Sequence, residues 1–111
     1  MKKKEYSFTE QEAATYAKQE AKSVIIRTYN AEGEKIDIER VSTEQESFVI
    51  EQAICAALFA IRKGYDVDSV KTTADFFVTY YSKAFESNIN AYNSINKRID
   101  KFLFMHTIIE E

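Results

Sequence analysis

Proline is absent from this chain, and glycine occurs only twice, at Gly33 and Gly64. The residues that most readily interrupt a helix are scarce, so long unbroken helices are favoured. The same scarcity removes classes of function. A Gly-x-Gly-x-x-Gly dinucleotide turn or a Walker-type phosphate loop needs glycines that neither position can spare. Linker-rich, collagenous and proline-tract architectures are excluded too. Asn30-Ala31-Glu32-Gly33 suits a type I turn closed by a left-handed glycine, the signature of a β-hairpin. Gly64 follows a long apolar run and suits the position just past a helix end.

Around these two points the elements can be read in order. Thr9-Glu10-Gln11-Glu12 is a capping box and opens a helix over about Glu10 to Lys22, with an alanine stripe at Ala13, Ala14, Ala17 and Ala21. Ser23–Tyr29 and Lys35–Val41 flank the turn and read as strands. Their alternation predicts Val24, Ile26, Ile36 and Ile38 facing the core, with Ile25, Arg27, Tyr29, Asp37 and Glu39 facing away. Thr43-Glu44-Gln45-Glu46 is a second capping box. Its helix runs to Arg62 or Lys63, is apolar throughout Ala53 to Ile61, and is expected at the centre of the fold. A third helix follows over about Ser69 to Glu86, where Asp66 and Asp68 offer N-caps. Its apolar residues, Val70 to Phe85, cover an arc of roughly 200° at about 100° per residue. That is wider than a surface helix needs, and it predicts a helix that touches two surfaces. A fourth helix is expected from about Ile89 to Thr107, with a stripe of Ile89, Tyr92, Ile95, Ile99, Phe102, Leu103, His106 and Ile109.

The predicted fold is therefore α+β in the order α-β-β-α-α-α: one β-hairpin and a short N-terminal helix packed on a three-helix cluster whose centre is the helix over 43–63. With 111 residues the chain is expected to form a single domain over 1–111, residues 1–6 being a flexible basic tail. An isolated hairpin is marginal in water, so helices must cover one face, and its edges stay open unless something pairs with them. No apolar run follows Lys2, Lys3 and Lys4, and the stretch Phe48–Ile61 is too short to span a bilayer, so a cytoplasmic location is expected.

Few residues offer chemistry. The single cysteine, Cys55, leaves no intramolecular disulfide and no cysteine zinc site, and its apolar neighbours make it a buried thiol. The single histidine, His106, falls on the apolar stripe of the last helix; a core position explains it, and a general base is the alternative. Asp66 and Asp68 could hold Mg²⁺, but a helix N-cap accounts for them. No catalytic residue, cofactor or metal is assigned.

The surface carries more. The net charge of −3 is concentrated: residues 30–51 hold Lys35 and Arg40 against Glu32, Glu34, Asp37, Glu39, Glu44, Glu46 and Glu51. The outer half of a strand and a helix N-terminus account for these carboxylates. The functional reading is an acidic surface of Glu32, Glu34, Asp37, Glu39 and Glu44 that docks on a basic partner. Phe104, Met105 and Ile108 lie off the stripe of the last helix. They are expected either tucked under the rest of the chain or exposed as a self-association or partner patch. Lys97, Arg98 and Lys101, with Lys71 and Lys83, form basic helix faces that would be the nucleic-acid contacts of an accessory protein. Taken together, the residues predict a non-catalytic protein-binding module: a small regulator or inhibitor, forming a homodimer. Its Lys-, Ile- and Asn-rich composition suggests a phage or mobile-element accessory protein. A nucleic-acid-binding protein and a small enzyme or enzyme subunit are the alternatives.

Overall fold

The computed structural model describes the backbone of residues 3–110 and the side chains of residues 5–108. Strand β1 (Lys3–Tyr6) leads into helix α1 (Glu10–Glu20), which is followed by the hairpin β2 (Ser23–Tyr29) and β3 (Lys35–Val41). Helices α2 (Glu44–Arg62) and α3 (Val67–Ala84) come next. A π-helical turn (Tyr92–Asn96) runs into α4 (Lys97–Met105), and β4 (Thr107–Glu110) closes the order. The α+β class and the α-β-β-α-α-α order stand as read from the sequence.

Both capping boxes form. Thr9 Oγ1 accepts from the Glu12 amide at 3.0 Å, and the Thr9 amide donates to Glu12 Oε1 at 2.9 Å. Thr43 and Glu46 repeat the exchange at 3.2 and 2.8 Å. The hairpin turn also forms as expected: the Gly33 amide donates to the Asn30 carbonyl at 3.0 Å, and Gly33 takes φ +79. Asn30 Oδ1 accepts from the Glu32 and Glu34 amides, which stiffens the turn.

Helix α2 is the central element. Val49, Ile50, Ala53, Ile54, Ala57, Leu58 and Ile61 are buried along it, and it packs against α1, α3, α4, the π-helical turn and β2. The alanine stripe of α1, Ala13 and Ala17 with Ala21 at its cap, lets α1 lie close on α2. On the far side, Phe8 meets Phe102 edge-on at 4.9 Å, and Tyr16 lies 4.7 Å from the same ring.

Several expectations are corrected. Lys3–Tyr6 is not part of a flexible tail. It pairs antiparallel with β4, Tyr6 opposite Thr107 and Lys3 opposite Glu110. The last helix accordingly stops at Met105, because the β-branched run Thr107-Ile108-Ile109 is taken into that ladder. The π-helical turn adds a residue to one turn of the last helical segment and shifts the phase, which leaves Tyr92 exposed although its spacing suited the stripe. Ile36 and Ile38 are exposed and not in the core: the hairpin meets α2 and the π-helical turn through β2, and Val24 is its one fully buried residue. The second edge of β2 is closed by the chain itself. The Arg27 amide donates to Asn88 O and the Asn90 amide to Ile25 O, each at 2.8 Å, while Ser94 Oγ accepts from the Ile25 amide. The radius of gyration, 14.9 Å, exceeds the about 13 Å of a compact chain this long, as elongated principal extents of 51 × 27 × 20 Å require.

Candidate functional site

All five carboxylates of the acidic set, Glu32, Glu34, Asp37, Glu39 and Glu44, are exposed, and several of them also pair within the chain. Asp37 Oδ2 accepts from the side-chain amides of Asn90 and Asn93 at 2.9 Å each, and Asp37 Oδ1 lies 3.3 Å from Arg27 Nε. Glu39 accepts from Ser23 Oγ at 2.7 Å and sits 3.6 Å from Arg98 Nη2. These two carboxylates are exposed, as expected of the outer strand face, and are also reached by the amide and guanidinium donors of the Asn90–Arg98 segment. Glu34 Oε1 takes a 3.3 Å hydrogen bond from Asn30. Glu32 and Glu44 are exposed.

Glu46, also in the acidic run, is 1% exposed. Arg40 reaches it with a two-pronged ion pair at 2.7 and 2.8 Å, the Thr43 amide donates at 2.8 Å, and Ser87 Oγ donates to the second oxygen. The Arg40 hydrogen bonds chiefly, helped by Ser87 and Thr43 against the cost of burial, hold its carboxyl down at about 2. This cluster ties the hairpin, the start of α2 and the loop after α3 together.

The basic set divides as well. Lys97 and Lys101 are exposed, but Arg98 is buried and does not share their face. Its guanidinium donates to the Ser23 carbonyl at 2.7 Å and to the Glu20 carbonyl, where the end of α1 leaves acceptors open. Lys71 is paired with Asp100 at 2.7 Å. His106 is half-buried: its ring stacks on Phe102 at 4.3 Å, and Nδ1 lies 3.2 Å from the Ser7 carbonyl. Asp66 caps α3 through the Ser69 amide at 2.9 Å. Cys55 is half-buried on α2, and burial, with Glu51 and Glu10 adding to it, pushes its thiol pKa up. Among the described residues no three His, Cys, Asp or Glu side chains gather as a metal site, and no helix is long and apolar enough to cross a membrane.

Among the described residues, two apolar surfaces stand out beside the exposed Ile36, Ile38 and Val41 of the hairpin. Phe104, Met105 and Ile108 form the smaller, with Phe104 85% exposed. The larger lies along the α2–α3 hairpin and follows from local sequence. The Gly64 amide donates to Ile61 O and the Tyr65 amide to Ala60 O, a Schellman ending made possible by φ +103 at Gly64. Asp66 then restarts the chain as α3, antiparallel beside α2. Only Ala74, Val78 and Ser82 of α3 are buried. Phe76, Phe77, Tyr80 and Tyr81 are left outside, Phe76 being 75% exposed and Tyr80 64%. Between the helices runs a cleft of about 630 Å³, floored by Ala53, Ala56, Ala57 and Ala60 and walled by Tyr65 and Phe77. Beyond Phe77 it continues into a second hollow of about 460 Å³ lined by Phe48, Tyr81 and Phe85. The wide apolar arc of α3 signalled a second surface in the sequence. The alanines of α2 gave no such signal, because a fully apolar run reads as buried on every side.

These features define an α+β domain whose distinguishing surface is an aromatic-walled helical-hairpin groove. Comparison with protein-family models, curated proteins and solved structures gives no match.

Proposed function

We propose that the protein is a non-catalytic protein-binding module, a small cytoplasmic regulator or inhibitor that docks through the α2–α3 face. One observation carries this reading. Phe48, Tyr65, Phe76, Phe77, Tyr80 and Tyr81 are all exposed along one helical hairpin. At about 200 Å² per aromatic side chain, their exposed fractions sum to about 700 Å² along the length of the hairpin. Tyr and Phe anchors beside small-residue hollows are what a protein interface uses at its centre. The acidic docking surface of Glu32, Glu34, Asp37, Glu39 and Glu44, all exposed, is retained as a second reading, with Glu32, Glu34 and Glu44 the ones least engaged by the rest of the chain.

The test is differential affinity capture from the source cell. A Phe76→Lys, Tyr80→Lys double variant loses a protein partner that the wild type retains, while Phe104→Lys retains it. Loss on changing Glu32, Glu34 and Glu44 to Lys, with retention by the aromatic variant, selects the acidic reading instead.

A further inference from the structure

The α2–α3 face has a geometry that fits itself. Ser69, Thr73, Phe76, Tyr80 and Lys83 recur at alternating spacings of four and three along α3, which is the spacing of a helix-packing seam. All five are exposed. The seam is aromatic in the middle and polar at both ends, as the centre and rim of an interface are. Resting on the protein-binding reading above, we infer that the protein bound at this face is a second copy of the chain, with α3 antiparallel to the partner copy's α3 about a two-fold axis at Phe76.

Two observations support this occupant. The first is register. With Phe76 of each copy at the axis, Tyr80 of one copy falls opposite Thr73 of the other, and Thr73 lies on the lip of the alanine-floored cleft. Each copy thus sets an exposed phenol ring against Thr73 of its neighbour, as the reciprocity of a two-fold interface demands. The second is charge. Helix α3 begins at Asp66 and Asp68 and ends near Lys83. Antiparallel packing brings each acidic start to a basic end and opposes the two helix dipoles, whereas parallel packing places like charges together.

The 111-residue chain is tested by sedimentation and light scattering up to high micromolar concentration. The wild type is expected at twice the 12.9 kDa chain mass. Phe76→Lys with Tyr80→Lys weakens the association at least about 100-fold, as loss of central anchors does. Its circular dichroism and melting temperature as a monomer stay those of a folded domain, because both rings are mostly exposed and outside the core, Tyr80 resting edge-on against Tyr81 at 5.4 Å. Asp68→Lys and Lys83→Asp each weaken it about fivefold, and the two together restore it. In a Cys55→Ser background, Phe76→Cys oxidises to a cross-linked dimer and Phe104→Cys does not. A wild type that stays monomeric overturns the self-pairing; the protein-binding reading then stands or falls separately on the capture experiment. A dimer that survives the Phe76 and Tyr80 changes also overturns it, and one lost in Phe104→Lys instead assigns the contact to the α4 patch.

Discussion

Replacing Glu46 by Gln tests whether one buried carboxylate holds three parts of the fold together. Arg40 brings β3, Thr43 the start of α2, and Ser87 the loop after α3 to its two oxygens. Folding lowers the carboxyl pKa from its ordinary value of 4.5 to about 2, which corresponds to about 3 kcal/mol at neutral pH. Arg40 is itself partly exposed, with 36% of its side chain open to solvent, so water recovers some of its loss. The expected cost of Glu46→Gln at pH 7 is therefore about 2–3 kcal/mol, or a melting point lower by about 10 °C. The folded pKa lies below the unfolded one, so the contribution is complete above the unfolded value. It is lost as pH falls through 4.5 towards about 2. Urea unfolding followed by circular dichroism at several pH values between 7 and 2 reads both effects. The gap between wild type and variant is wide at pH 7 and narrows as the wild type protonates. Other carboxylates titrate in both proteins and drop out of the difference. A gap that is constant across that range, or below about 0.5 kcal/mol at pH 7, would refute the reasoning.

Gly64→Ala costs about 1–2 kcal/mol in urea unfolding: the added Cβ meets nothing within 4 Å, so the cost is that of φ +103 alone. Arg98→Lys lowers stability by about 2–3 kcal/mol in thermal unfolding, because a single ammonium cannot reach at once the Glu20 and Ser23 carbonyls met by Nη1, the Ser23 hydroxyl and Glu39 met by Nη2, and the Glu20 carboxylate met by Nε. Neutralising Lys97 and Lys101 leaves retention on a nucleic-acid column unchanged at moderate salt; a drop would revive the nucleic-acid alternative.

What was legible in the sequence was whatever is decided locally. Thr9, Thr43, Gly33 and Gly64 each act within a few residues of themselves, and each does what its neighbours predict. The errors share a different origin. Lys3–Tyr6 reads as a polar tail because its strand partner lies at the far end of the chain. Ile36 and Ile38 alternate as a core face should, but alternation fixes which side chains share a face and not whether anything covers it. Glu46 and Arg98 look like solvated charges, since their burial depends on acceptors and donors distant in sequence. For the candidate site, the arc of aromatics on α3 was readable, but the cleft beside it exists only once α2 and α3 are folded together.

The pairing of β1 with β4 has a consequence in time. It joins segments separated by roughly 100 residues, and closing so long a loop costs about 4 kcal/mol in chain entropy. Four residue pairs cannot offset this before the helices have brought the ends near each other. The ladder is therefore the last part to assemble and the first to open, a clasp that closes over Phe8 and His106 once the helical body is set. The ladder amides, that of Ser7 to the His106 carbonyl among them, exchange well before those of α2, and in brief pulses of exchange during refolding they are the last to escape labelling.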